Sequence, residues 1–430
     1  MGGRVARGAF KSIMVAGSGA GVSFLVQIVL GRLLGTEAYG VYLLALGWLS
    51  VAQVAGKLEV DVISVRFVGS YVATARWGLL KGYLRSSRRA VVLASVIVAL
   101  VMGAIVLGLE GTLAAKHPDY QRTLLAACLL LPFLAVLVVE GATLQGFHQY
   151  ARSQVPLNLV RPLAFGVTVA IIAVLWPQNL SAPSAIGANL VGVVLALALV
   201  SYWRRRATPA EAKAATAEHD TATWVRTAYP LFAVTIAQVI ISQQADVLVV
   251  GTYLDAAQAG IYGAASQLTL PLTMAVASVT FVAQPMISDL YSRNESRRLQ
   301  TLIRVVTWAS AALAVPIAAM LIFAGPWLLS LWGDDFRAGH SVLIILTLAQ
   351  LVIGLAGDLA GYMLTMTAHE RAAAWIIGGS ALVNIALALI LTPLFGPIGT
   401  ASATLVAATA RAASLSIYIR RSMGFRLPSL

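Results

Sequence analysis

Apolar residues in this chain come in long runs, each close to the twenty or so residues that carry a helix across the roughly 30 Å hydrocarbon core of a bilayer. The runs fall at about 12–34, 40–72, 89–109, 123–144, 154–176, 183–203, 226–254, 260–288, 303–324, 341–364, 372–394 and 398–419. This pattern predicts an all-α, polytopic membrane protein with twelve transmembrane helices. The runs 40–72 and 260–288 exceed the bilayer thickness and are expected to tilt or to bend, near Gly56 and Pro285. The first run leads straight into further spans, and no small-residue cleavage site ends it, so it reads as a mature helix. Only 11% of the 430 residues are charged, against about 25% in a soluble domain.

The charges lie between the spans and mostly on alternate sides. One side holds Arg4, Arg7 and Lys11, then Arg76, Lys81, Arg85, Arg88 and Arg89, then Arg152, then Arg204, Arg205, Arg206, Lys213 and Arg226. Further on, the same side takes Arg293, Arg297, Arg298, Arg304, Arg371, Arg420, Arg421 and Arg426. The other side holds Arg32, Lys116, Arg122 and Arg337, and Lys57, Arg66, Arg161 and Arg411 lie within spans. By the positive-inside rule, both termini face the cytoplasm, which an even number of spans permits. The net charge of +13 then belongs to topology and to anionic headgroups, and no nucleic-acid role follows. The single Cys128 reads as a buried, inert thiol, and the five histidines have no metal-ligand spacing, so neither a metal nor a cofactor is expected.

The chain repeats itself. Gly31-Arg32-Leu33-Leu34-Gly35 leads to Gly40-Val41-Tyr42, and at one constant offset Gly251-Thr252-Tyr253-Leu254-Asp255 leads to Gly260-Ile261-Tyr262. Both halves start on the same side with six spans, so the repeats are parallel, related by an axis along the membrane normal. The expected organisation is an N-terminal six-helix lobe at 1–203, a cytoplasmic linker at 204–225 and a C-terminal six-helix lobe at 226–430, facing each other across a central cavity.

These residues resemble the multidrug/oligosaccharidyl-lipid/polysaccharide exporter superfamily and, within it, the bacterial polysaccharide flippases of the O-antigen type. Gly31 to Gly35 with Tyr39-Gly40-Val41-Tyr42 is similar to that family's first hairpin, and Asp246 to Gly251 followed by Gly260-Ile261-Tyr262 to its seventh-to-eighth. Trp332-Gly333-Asp334-Asp335-Phe336 resembles its acidic outer loop, and Asn384, Pro393, Gly396, Gly399 and Thr400 to Thr404 resemble its last hairpin. Ala368-His369-Glu370-Arg371 stands where related proteins often have a Gly-Arg pair. The resemblance implies a multi-pass protein of the bacterial inner membrane, with membrane lipids around it. It would flip an undecaprenyl-pyrophosphate oligosaccharide (a polyprenyl-pyrophosphate sugar) to the outer leaflet by alternating access. A proton or sodium ion as coupling ion, and a polysaccharide polymerase or glycosyltransferases as partners, fit the same picture. A drug–cation antiporter and a lipid II flippase stay open within the superfamily. A membrane-embedded glycosyltransferase or polymerase is the reading from another class. The absence of a phosphate-binding loop, catalytic pair or nucleophile triad speaks against an enzyme.

A charge in hydrocarbon costs roughly 2.5–3.5 kcal/mol on insertion scales, so each in-span charge is a candidate. Arg161 and Arg411 offer guanidinium forks that match a pyrophosphate, or else belong to structural ion pairs; Lys57 and Arg66 are helpers, or else are solvated with Glu59 and Asp61 near the inner interface. Asp246 lies about 12 Å below the outer end of its span, preceded by Gln238, Ser242, Gln243 and Gln244, which reads as a polar cavity lining or as a helix–helix hydrogen-bond network. Asp246, Glu140, Asp358 and Asp61 are the candidates for a coupling ion. On one continuous helix, Lys57 and Asp61 would share a face, with Glu59 and Arg66 roughly opposite. Gly17 and Gly21 form a GxxxG packing face, as do Gly357 and Gly361. A reporter that is active only outside the cytoplasm, fused at Leu430, should be silent; activity there would overturn the topology.

Overall fold

The computed structural model describes residues 2–109, 119–240, 243–293, 295–367 and 369–422. Ser242, Lys116, Ala368, Arg426 and Leu430 lie outside the described residues, as do the side chains of Arg4, Arg7, Lys11, Gln238, Gln243 and Gln244. The described residues are helical nearly throughout and hold no strand. They form two compact units, Met1–Val239 and Ile240–Leu430.

In the first unit, α1 (Gly2–Lys57) is followed by α2 (Val60–Ala73), α3 (Trp77–Gly108), α4 (Tyr120–Gly146), α5 (Tyr150–Leu175) and α6 (Ala182–Ala207). The short α7 (Ala210–Ala214) leads to α8 (Thr221–Ile240). The second unit continues with α9 (Gln243–Tyr253), α10 (Ala256–Leu268), α11 (Leu270–Ser292) and α12 (Ser296–Phe323). After the one-turn α13 (Gly325–Leu329) come α14 (His340–Val352), α15 (Leu359–Met366), α16 (Glu370–Phe395) and α17 (Pro397–Ser422). A π-turn, Ile353–Asp358, joins α14 to α15, and another, Pro156–Val160, lies inside α5.

Ten helical segments among the described residues are long and apolar enough to cross a membrane, where the sequence pattern predicts twelve. Two differences account for the gap. The segment Gly17–Lys57 covers one expected span and part of the next, divided by a kink at Gly35. The expected span 226–254 is present as α8 and α9, which are not among the ten. Gly35 has φ +75° and Gly396, between α16 and α17, has φ +63°, so each turn rests on a single residue in a region that side chains disfavour.

The bend expected near Gly56 lies two residues on. Leu58 and Glu59 adopt φ +52° and +56° and end α1. Lys57 and Asp61 do meet, at 2.9 Å, but the break overturns the assignment of Glu59 to the opposite face, since Lys57 also reaches Glu59 at 3.2 Å. The bend expected at Pro285 falls instead at Thr269, between α10 and α11, and Pro285 lies inside α11. Pro271, the second residue of α11, cannot donate the backbone hydrogen bond that would continue α10.

The GxxxG reading is also corrected. A Cβ on Gly17, Gly21 or Gly361 would meet nothing within 4 Å, whereas one on Gly19 would overlap the carbonyl oxygen of Asn158. Gly19 lies two residues, about 200° of helix, from both of its glycine neighbours, so the packed face is the opposite one. Gly357 does pack, against the guanidinium of Arg411. Cys128 is buried, as expected.

The stretch after Ala207 docks on α3 as a strap. The Lys81 ammonium donates to the carbonyls of Lys213 and Ala215, each at 2.6 Å, and the Glu218 amide donates to the Gly78 carbonyl at 3.0 Å. Ser86 and the His219 Nδ1 are 3.0 Å apart. Ala212 is buried among Phe67, Tyr71, Leu80, Tyr83 and Trp224, and the Trp224 indole donates to the Tyr71 hydroxyl at 2.9 Å. Residues 78, 82 and 86 lie one turn apart, on one stripe of α3.

A Cβ on Gly82 would overlap the Glu218 carbonyl oxygen, so Gly82→Val should lift the strap. Such overpacking costs about 1–3 kcal/mol, so trypsin should cut after Lys213 roughly tenfold faster or more than in the wild type. Equal cleavage rates would show that the strap is not held by this contact.

Candidate functional site

Most in-span charges are answered by an opposite charge. Glu140, 3% exposed on α4, is held by the Arg204 guanidinium, with Arg88 at 3.8 Å. Asp358 accepts from Arg411 at 3.0 Å, so a phosphate candidate and a coupling-ion candidate form one ion pair. Lys57 is shared by Glu59 and Asp61. Arg66 is exposed on α2 and has no ion pair among the described residues.

Arg161 stands apart. It follows the π-turn Pro156–Val160 in α5, the kind of local irregularity that re-aims the next side chains. Its Nε donates to the Asn189 Oδ1 at 3.2 Å, and no carboxylate pairs with it among the described residues. Asn189 reaches it because Gly192, one turn later on α6, leaves no side chain against the Arg161 carbonyl; a Cβ there would sit 2.6 Å from that oxygen. Arg161 lines a cavity of about 150 Å³ with Ser23, Gln27, Tyr42, Phe165 and Asn189. The Tyr42 ring stacks on Phe165 with centroids 6.1 Å apart, and Tyr39 donates to Gln27 at 3.2 Å. The cavity therefore offers one fixed positive charge surrounded by neutral hydrogen-bonding groups.

The second unit holds the converse. Asp246, 6% exposed on α9, accepts from the Tyr262 hydroxyl (3.2 Å), the Thr404 hydroxyl (3.0 Å) and the Asn384 amide (3.4 Å). Among the described residues no cation pairs with it. The Asn384 Oδ1 is buried and has no hydrogen-bond partner there. A carboxylate, two hydroxyls and an amide oxygen make a set of hard oxygen donors suited to a proton or a hard cation.

Sequence reasoning singled out Arg161 and Asp246 but missed their surroundings. Tyr42, Gln27 and Asn189 were not named as site residues, and neither were Tyr262, Asn384 and Thr404. One signal was in the sequence: Tyr42 and Tyr262 are equivalent positions of the internal repeat, and each stands in the polar site of its own unit.

Comparison with known proteins agrees with this architecture. A family described as "Polysaccharide biosynthesis protein" matches residues 5–291, and a second, MatE, matches residues 230–390. The probable low-salt glycan biosynthesis flippase Agl15 of Haloferax volcanii is 24% identical over 406 residues, covering 93% of this chain and 80% of that protein. The lipid II flippase MurJ in an inward closed conformation has a TM-score of 0.73 at 16% identity, covering 95% of this chain and 87% of that one. An inward-facing MATE family multidrug transporter of the MOP superfamily has a TM-score of 0.72 at 12% identity, covering 94% of each chain. At those identities the two structures speak for the fold. The match over residues 5–291 speaks for more: this multi-pass membrane chain belongs to the polysaccharide biosynthesis protein family.

Proposed function

We propose that this protein is a flippase that moves a lipid-linked glycan, a polyprenyl-pyrophosphate oligosaccharide, from the cytoplasmic to the outer leaflet. The observation that carries this reading is Arg161, a half-buried guanidinium beside a polar cavity, with no carboxylate partner among the described residues. A diphosphate must cross a region where bare charge is costly, and a fork-shaped cation beside its path lowers that cost. The uncharged Tyr42, Gln27 and Asn189 can hydrogen-bond phosphate oxygens without neutralising Arg161. Family membership and the likeness to a glycan flippase support the cargo. Arg411, already paired with Asp358, is the weaker phosphate group. Lys57 and Arg66 are left as helpers in steering the headgroup.

Asp246 is the coupling group in this proposal. A proton or sodium ion bound there offsets the carboxylate's burial, and it shifts a two-state equilibrium only by its differential affinity for the two states. Glu140, Asp358 and Asp61 each have a basic partner, which leaves Asp246 as the acid most in need of a cation. The protein then works by alternating access in the inner membrane, with both termini in the cytoplasm, beside the glycosyltransferases and polymerase that make and use its cargo. One observation favours a second reading, a cation-coupled drug exporter: the MatE match over residues 230–390 takes in Asp246 with Tyr262 and Asn384, though not Thr404.

Two experiments test these roles. Arg161→Gln, at normal membrane level, should lower export of surface polysaccharide roughly tenfold or more, since a charge-assisted contact is worth about 1.5–3 kcal/mol. Arg161→Lys should recover it only in part; undiminished export by Arg161→Gln would remove the phosphate role. In proteoliposomes, Asp246→Asn should abolish the response of lipid-linked glycan flipping to proton and sodium gradients. A full gradient response in that variant would place coupling elsewhere.

A further inference from the structure

The second unit has a cavity that takes no part in this mechanism. It is an open groove of about 430 Å³ between α16 and α17, lined by Ile376, Ser414, Ile417, Tyr418, Arg421 and Ser422. The five residues from α17 stand at i, i+3, i+4, i+7 and i+8, so they form one stripe along that helix. Arg421 is well inside the stripe: at 100° per residue it falls between Ile417 and Tyr418 in angle. Helical side chains lean towards the helix N-terminus, so Arg421 leans back over the groove. Beneath it, Ile376 and Tyr418 pack on a core that includes Ala373, Leu415 and Ile419.

The groove has an apolar end and a charged end. Helices α16 and α17 form a hairpin that turns at Gly396, and the groove lies at its open end, with Ile376 in the second turn of α16 and Arg421 in the last turn of α17. Trp375, next to Ile376, is exposed there, as an aromatic belt residue is at headgroup level. Ile417, one turn before Arg421, is exposed as well, on the side towards the middle of the hairpin. The change from apolar to charged surface along this stripe therefore matches the change from acyl chain to headgroup in a lipid.

Charge selects the occupant. Arg421 is exposed and has no ion pair among the described residues, and none of the six lining residues is acidic. A guanidinium fork matches a phosphate, and one guanidinium balances the single charge of a phosphodiester. A quaternary ammonium headgroup finds no counter-charge in this lining. The Tyr418 ring, one turn before Arg421, is set edge-on against His369 with centroids 6.1 Å apart, which fixes the wall between the charged and apolar ends. From the guanidinium within the groove's own stripe and the apolar surface one turn away, we infer that this groove seats an anionic glycerophospholipid. Its phosphate rests on Arg421, and the first part of an acyl chain runs along Ile417 and Ile376. The lipid then ties the start of α16 to the end of α17.

The test is native mass spectrometry of the full-length, delipidated protein titrated with phosphatidylglycerol, phosphatidylcholine or a polyprenyl phosphate. The wild type should retain one phosphatidylglycerol about fivefold more than phosphatidylcholine, the effect of one basic residue on an anionic lipid. Arg421→Gln should bring the two lipids level. Arg420→Gln is the control, because Arg420 is exposed on the same turn but does not line the groove, and it should keep the preference. Equal preference in the wild type and Arg421→Gln would overturn the proposal, and so would an equal loss in the two arginine variants, which would mark a diffuse basic surface. Ser414→Trp, which blocks the apolar end, should weaken retention of both lipids; unchanged retention would overturn the groove as the seat. Stronger retention of polyprenyl phosphate than of phosphatidylglycerol would overturn it in favour of the cargo's own tail. Because export is not the readout, the result is independent of whether Arg161 binds a pyrophosphate.

Discussion

Inside hydrocarbon a charge has no water beside it, and its insertion cost has to be offset by whatever the protein places next to it. Much of this structure can be understood from that constraint. Arg204 and Arg88 answer Glu140, Arg411 answers Asp358, and Lys57 answers Glu59 and Asp61. These pairs fasten helix to helix or stabilise a break, and they leave little charge over for a ligand. Apart from Arg66, exposed on α2, what remains among the described residues is Arg161 in one unit and Asp246 in the other, each ringed by neutral donors and acceptors. Such a group is expensive when empty and satisfied when a counter-charge arrives, which is the property a transport site needs.

The same constraint explains why the membrane architecture was legible in the sequence and the pairings were not. Spans appear as runs, and an in-span charge appears as an interruption of a run. The constant rise of a helix turns position in a run into depth, which locates Arg161 and Asp246. The neighbour across a helix interface has no such rule. Glu140 and Arg204 lie on helices that are not consecutive, as do Asp358 and Arg411, and no local pattern joins either pair. Glu59 was misplaced for another reason. Leu58 and Glu59 take left-handed backbone angles although neither is a glycine, and nothing nearby in the sequence announces it.

The strap is a further case. Its alanines and threonines read as a solvated connector, because composition records what a segment is made of and not what it lies against. The information sat in the partner helix, where Gly78 and Gly82, one turn apart, open a lane for Glu218. A pair of small residues on a helix marks close approach by something, and only the fold shows that the visitor here is a segment from beyond α6, three long helices further along the chain. The glycines of α1 carry the same lesson: Gly17, Gly19 and Gly21 alternate faces, and packing selects the middle one.

The repeated tyrosines have a consequence for the gene. Duplication creates two copies that gene conversion can keep alike. At the offset that aligns Tyr42 with Tyr262, Asp246 stands opposite Val26, a wall residue of the first unit's cavity. A conversion tract copying the first repeat over the second would therefore erase the acid while leaving the tyrosine in place. The copies can stay alike where they build hairpins, as at Gly40-Val41-Tyr42 and Gly260-Ile261-Tyr262. Where they differ in charge, such a copy would remove the carboxylate that Tyr262 and Thr404 now bond.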